Sequence, residues 1–124
     1  MINMKEEVKR WWAKAEGDLI KARDNFKIGH YDLASFLCQQ SVEKALKAAI
    51  IENKKVMPKI HDLVKLAKFV NLNSDLLDDC ERLTYVYIDS RYPDTESKKY
   101  TKAETEKDLE VAEKIIKWIE KNQL

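Results

Sequence analysis

The sequence predicts an all-α protein, an antiparallel up-and-down four-helix bundle with one additional short helix. Apolar residues recur at alternating steps of four and three, the spacing of one face of an α-helix. Only two glycines and two prolines occur among 124 residues, so there are few places to turn and the elements between them must be long. Helix-start and helix-stop residues stand in the gaps between the apolar stripes.

The first stripe, from about Met4 to Ile28, is Val8, Trp12, Ala15, Leu19, Ala22 and Phe26, all placed toward the core. Gly29 follows it, suited to a left-handed C-terminal cap. The second helix spans about Tyr31 to Asn53. Leu33, Ala34, Phe36, Leu37 and Cys38 make its first half apolar nearly all round, and Val42, Ala45, Leu46, Ala48, Ala49 and Ile50 cover a broad face of the second. A helix apolar on several sides has neighbours on several sides, so this is the central helix. Lys54, Lys55 and Pro58 interrupt the pattern. A short helix from about His61 to Val70 turns Leu63, Leu66, Ala67 and Val70 inward. Asn71 to Ser74 form a turn, with Ser74 as N-cap of the fourth helix. That helix carries Leu76, Cys80, Leu83 and Tyr87 and ends near Ser90, because Pro93 disfavours helix at Tyr92. Thr101 followed by Glu104 reads as a capping box. The last helix faces inward through Leu109, Ala112, Ile116 and Ile119, flanked by Ile115 and Trp118.

Hydrophobic residues are 44% and charged residues 36% of the chain, a balance that excludes disorder and suits one helical domain over residues 1–124. A chain of this length buries roughly two-thirds of its unfolded surface and needs no staple. With 23 basic against 22 acidic residues, bulk attraction to a polyanion is not expected, and a nucleic-acid contact needs a local patch. Glu43 with Lys47, Glu110 with Lys114 and Glu113 with Lys117 are carboxylate-before-lysine pairs four apart. Cys38 and Cys80 fall at apolar positions and read as buried thiols. Without a Cys-x-x-Cys or Cys/His cluster, neither a metal nor a cofactor is expected. The N-terminal region, with Lys5, Glu6, Glu7, Lys9 and Arg10, lacks a signal-peptide apolar run, and no stretch approaches a membrane span, so a cytoplasmic location is expected.

Three blocks in order carry a family resemblance. The first runs from Tyr31 through Ala34 to Gln40-Ser41-Val42-Glu43-Lys44-Ala45-Leu46-Lys47-Ala48. The second is His61-Asp62-Leu63, and the third is Ser90-Arg91-Tyr92-Pro93-Asp94. Together with the Trp-rich first helix, they resemble the HEPN family, small helical bundles named for higher-eukaryote and prokaryote nucleotide-binding proteins. The resemblance implies a homodimer built through helix faces and, in many members, pairing with a minimal nucleotidyltransferase encoded nearby in a toxin–antitoxin-like arrangement. The resemblance also implies that many active members are metal-independent ribonucleases with an Arg, four to six residues, then a His late in the fold. Here both histidines, His30 and His61, precede Arg82 and Arg91, so that signature is missing. Arg23 and His30 match the bare spacing, but at the end of the first helix, where the family places no active site. The expected role is therefore a nucleotide- or RNA-binding partner module. The rivals are a ribonuclease of non-standard design around Arg91 and His61, and a ligand-free scaffold.

The candidate binding residues are Arg91, Tyr92, Asp94, Lys44 and His61. Arg91 is suited to bidentate contact with a phosphate, and Tyr92 to stacking on a base; the plainer reading of Arg91 to Asp94 is a turn. His61 and Asp62 either cap the short helix or place His61 in a cleft toward Gln40, Glu43 and Lys44. Adjacent residues on a helix point about 100° apart, so Glu43 and Lys44 cannot both face the core. Lys44 and Lys47, three apart, would form a basic strip. Tyr85, off the apolar stripe, and Tyr92 are the candidate acceptors of AMP that the resemblance implies. Trp11 cannot share one seam with Trp12, so it either packs on a second helix of its own bundle or is an interface candidate at a dimer surface.

Overall fold

The structure is a computed structural model that describes residues 4–91 and 100–124, with side chains described for 5–89 and 100–124. Five α-helices follow one another: α1 Met4–Lys27, α2 Tyr31–Lys54, α3 Leu63–Phe69, α4 Leu77–Arg91 and α5 Lys102–Gln123. No strand occurs among the described residues, and none of their helices is long and apolar enough to cross a membrane.

Local chemistry sets the helix ends. Gly29 has φ 86°, and its amide and that of His30 donate to the carbonyls of Phe26 and Asn25, at 3.2 and 2.9 Å. This paired closure takes up two carbonyls that α1 would leave open, and the positive φ favours glycine. α2 ends on Lys55, also left-handed at φ 59°, whose amide reaches Ile51 O. Asp62 caps α3 by accepting from the amides of Val64 and Lys65, so the helix begins at Leu63 and His61 lies outside it. Ser74 is not the cap of the fourth helix. Asn73 accepts from the Asp75 amide and starts a 3-10 turn, Ser74–Leu76, that leads into α4. Thr101 caps α5 by accepting from the Glu104 amide, as the capping pattern predicts.

α2 is the central helix. It packs against α1, α3, α4 and α5, and fourteen of its residues are buried. Its parallel partner is α5: Ser35 meets Thr105 near one end, and Asn53 meets Gln123 at the other. Ala45, Ala49 and Ala112 have no exposed surface in this core, and small residues let neighbouring helices approach closely. α4 runs antiparallel to α5, with Asp79 opposite Lys114 and Arg82 opposite Asp108 and Glu104.

Several positions differ from the sequence expectation. Tyr87 is half-buried, and Val86 takes its place in the core, because α4 continues inward three residues after Leu83 rather than four. Trp12 and Phe26 are half-buried and pack against the core from its edge. Leu33 is 45% exposed. Of the three expected ion pairs four apart, Glu43–Lys47 forms, while Lys114 takes Asp79 of α4 and Glu113 takes Arg23 of α1.

A polar seam that the apolar pattern did not reveal ties α2, α4 and α5 together. Asp108 is fully buried; it accepts from Ser35 Oγ at 2.7 Å and from Arg82 Nε. Arg82 also donates to the carbonyl and carboxylate of Glu104, at 3.0 and 3.2 Å. Thr105 Oγ1 lies between Ser35 Oγ and the Tyr31 carbonyl. A buried carboxylate is tolerated when its lone pairs are filled in this way.

Cys38 and Cys80 are free and buried. Burial, reinforced by nearby carboxylates, raises both thiols well above the ordinary range, Cys80 to about 12. Both therefore stay protonated at neutral and mildly alkaline pH, and thiolate is the reactive form. A disulfide-exchange reagent at pH 8 is expected to label neither cysteine within minutes in the native protein and both at once in denaturant. Fast native labelling monitored by absorbance would contradict the burial described.

Candidate functional site

An open cleft of about 720 Å³ lies where the first half of α2, the end of α4, the residue before the α3 cap and the residue before the α5 cap come together. Among the described residues it is lined by Asp32, Leu33, Phe36, Gln40, His61, Tyr87, Asp89 and Tyr100. Four of these carry aromatic rings. The His61 imidazole and the Tyr87 phenol are stacked, with centroids 4.8 Å apart and planes 18° from parallel. Tyr100 closes one side, its hydroxyl donating to Asp89 at 2.9 Å. Partial burial and this hydrogen bond raise the phenol above its ordinary pKa, so Tyr100 holds its proton.

Glu43 lies behind the cleft wall with its side chain 7% exposed. It accepts from Lys47 Nζ at 3.1 Å, from Gln39 Nε2 at 3.0 Å and from His61 Nδ1 at 3.1 and 3.2 Å on its two oxygens. Lys47 is as deeply buried as Glu43, and its ammonium also lies 5.8 Å from the centre of the Trp11 ring. Two buried opposite charges on successive turns neutralise each other, and the carboxylate's remaining lone pairs orient Gln39 and His61.

His61 reaches the cleft, with Gln40 beside it and Glu43 behind it. Lys44 does not line the cleft. It pairs with Asp18 of α1 at 2.5 Å, beside Trp11, Arg10 and Lys14. The expected basic strip of Lys44 and Lys47 is absent, because each lysine has a carboxylate partner and Lys47 is buried. Tyr85 is 48% exposed. Trp11 is half-buried and packs against Val8, Ala48 and Ile51. Arg91 closes α4, two residues beyond Asp89, and its side chain lies outside the described residues, as do Tyr92 and Asp94.

Sequence reasoning missed Tyr100, Tyr87, Phe36, Leu33, Asp32 and Asp89 as cleft residues. Phe36 reads as core from its apolar neighbours, and nothing in the spacing singles out Asp32 or Asp89. Tyr100 had one usable signal, an aromatic directly before a helix cap, but nothing in sequence spacing brings it to Tyr87.

An all-helical bundle of this topology, with a cleft at the ends of its long helices, defines a class of small helical-bundle proteins. The HEPN domain model matches residues 8–122, and the chain belongs to the HEPN family. It is similar in structure to TT1696 from Thermus thermophilus, with a TM-score of 0.84, 28% identity, and 93% of this chain and 97% of that one covered. It is also similar to ST0689, an archaeal HEPN homologue, with a TM-score of 0.80, 30% identity and coverage of 94% and 98%. No curated protein gives a significant sequence match.

The burial of Glu43 and Lys47 yields a stability prediction. Glu43→Ala leaves a buried ammonium without its carboxylate, a change that typically costs about 3–5 kcal/mol. Urea unfolding of the variant is expected to show a midpoint well below wild type. A loss under about 1 kcal/mol would mean that Lys47 escapes to solvent.

Proposed function

We propose that this HEPN chain is the partner half of a two-component system, pairing as a homodimer with a minimal nucleotidyltransferase and binding a nucleotide or RNA end in the α2–α4 cleft. The observation that carries this reading is the cleft itself. Stacked His61–Tyr87, Phe36 and Tyr100 offer ring faces to a base, and aromatic stacking is a sequence-tolerant way to hold a nucleotide. Arg91, Tyr92 and Asp94 follow Asp89 in the chain, so an arginine suited to a phosphate enters the sequence two residues beyond the cleft wall. The pairing, the toxin–antitoxin setting and the dimer are supported by family membership, and the dimer also by Trp11, which remains part-exposed on α1. A ribonuclease role has less support, because no histidine follows Arg82 or Arg91 and the cleft's one imidazole precedes both.

Titration of the purified protein with ATP and GTP by calorimetry is expected to show saturable binding, weakened about tenfold or more in His61→Ala, which removes one stacking face. Equal affinity in the variant would move the site elsewhere, and no binding to either nucleotide would favour the scaffold. Incubation of the same protein with mixed RNA in chelator is expected to leave the RNA intact. Cleavage that disappears in Arg91→Ala would establish the ribonuclease instead.

Co-expression with a minimal nucleotidyltransferase from the same genome is expected to yield a complex holding two copies of this chain. Mass spectrometry of that complex tests Tyr85 and Tyr92 as AMP acceptors, and unmodified tyrosines in the presence of ATP would remove that role.

A further inference from the structure

The two faces of the short helix α3 differ in kind. Leu63, Leu66 and Ala67 are buried in the core, while Lys65, Lys68 and Phe69 stand exposed on the outer face. Lys68 and Phe69 are three and four residues beyond Lys65, so the three side chains are neighbours on the helix surface. Phe69 is 37% exposed, and together with Ile60, Lys65 and Lys68 it lines a shallow depression of about 430 Å³. In the loop that leads to Ile60, Val56 and Met57 are also exposed, at 51% and 42%. Single apolar side chains at a surface are ordinary, whereas a group of them rimmed by polar residues marks an interaction site.

The charge of this stretch is one-sided, although the chain as a whole is balanced. Lys54, Lys55, Lys59, Lys65 and Lys68 are set against one carboxylate, Asp62, and that carboxylate accepts from the Val64 and Lys65 amides that begin α3. Among the described residues none of the five lysines has a carboxylate at ion-pair distance, and Lys55 Nζ donates to the Glu52 carbonyl. Elsewhere Arg23, Lys44, Lys47, Arg82 and Lys114 each hold one. The α3 surface therefore carries a local positive field around an apolar centre.

That combination separates the occupants. A single strand of nucleic acid is held by rings on which its bases stack, and here one ring stands among aliphatic side chains. An apolar centre with a charged rim is instead the anatomy of a protein interface, where the rim steers the partner and the centre retains it. The surface is also separate from the one offered to a second copy. Trp11 lies on α1, which packs on α2 and α5, whereas α3 packs on α2 and α4.

We propose that the outer face of α3 is the docking surface for the nucleotidyltransferase partner, which seats an apolar side chain against Phe69 and Ile60 and sets carboxylates opposite Lys59, Lys65 and Lys68. This rests on the pairing reading above, and it adds the face on which the pair forms and the chemistry of the partner's side. Ile60 directly precedes His61 of the cleft wall, so a partner seated here lies beside the cleft.

The test measures association and dissociation of the minimal nucleotidyltransferase from the same genome on wild type, Lys65→Glu/Lys68→Glu and Phe69→Ala. All three positions are exposed, and thermal unfolding checks that each variant keeps the fold. The double lysine variant is expected to associate about tenfold more slowly at low salt, and to lose most of the salt dependence that wild type shows. Phe69→Ala is expected to dissociate about tenfold faster, with its salt dependence unchanged. A wild-type complex that both variants form equally well would overturn the docking face and leave the pairing standing. No wild-type complex at all would remove the pairing and this face with it. An unchanged complex, with binding of a labelled oligouridine lost in the double lysine variant, would assign the lysines to RNA instead. A wild-type oligomer that dissociates in Phe69→Ala, measured by light scattering without the transferase, would assign the face to a second copy of this chain.

Discussion

The carboxylate of Glu43 is the contact on which the rest of the site depends. It lies on the central helix, 7% exposed, and holds Lys47, Gln39 and His61 at 3.0–3.2 Å. A buried carboxylate of this kind is costly unless every lone pair is used. Satisfying it fixes the imidazole of His61 against Tyr87 and turns the amides of Gln39 and Gln40 in one sense. The same few bonds therefore close the core and orient two side chains, His61 and Gln40, at the cleft.

Asp108 plays the matching part at the other polar junction of the bundle. It gathers Ser35 from α2 and Arg82 from α4, and Arg82 extends to Glu104 one turn away. Apolar contact alone lets two helices slide by a turn at little cost, whereas directional bonds between buried partners do not. The register of α4 against α5 is set in this way, and that register places Tyr87 and Asp89 at the cleft. The nucleotide reading thus leans on residues at some distance from any ligand.

Much of the fold was legible because it follows from period and punctuation. The four-three stripes gave the helices, Gly29 and Thr101 gave ends that the hydrogen bonds match, and the apolar breadth of Tyr31 to Asn53 marked the central helix. The errors share one cause. Tyr87, Trp12 and Leu33 were judged by spacing, yet each sits at the edge of a packed face, where a few degrees of helix rotation move a side chain between core and surface. Lys47 was placed on a surface strip by its spacing from Lys44, and that spacing does not report that a carboxylate one turn earlier would be buried with it.

By itself the sequence determined the helical class, the membership implied by three ordered blocks, the two buried thiols and the lack of a histidine after Arg82 or Arg91. These are properties of short windows, where a residue's neighbours along the chain decide its state. Only the tertiary structure decided that His61 leans on Glu43 and Tyr87, that Lys44 is taken by Asp18, and that Tyr100 and Asp89 complete the cleft. Those contacts join residues far apart in the chain, and their geometry depends on the angle and register at which whole helices pack.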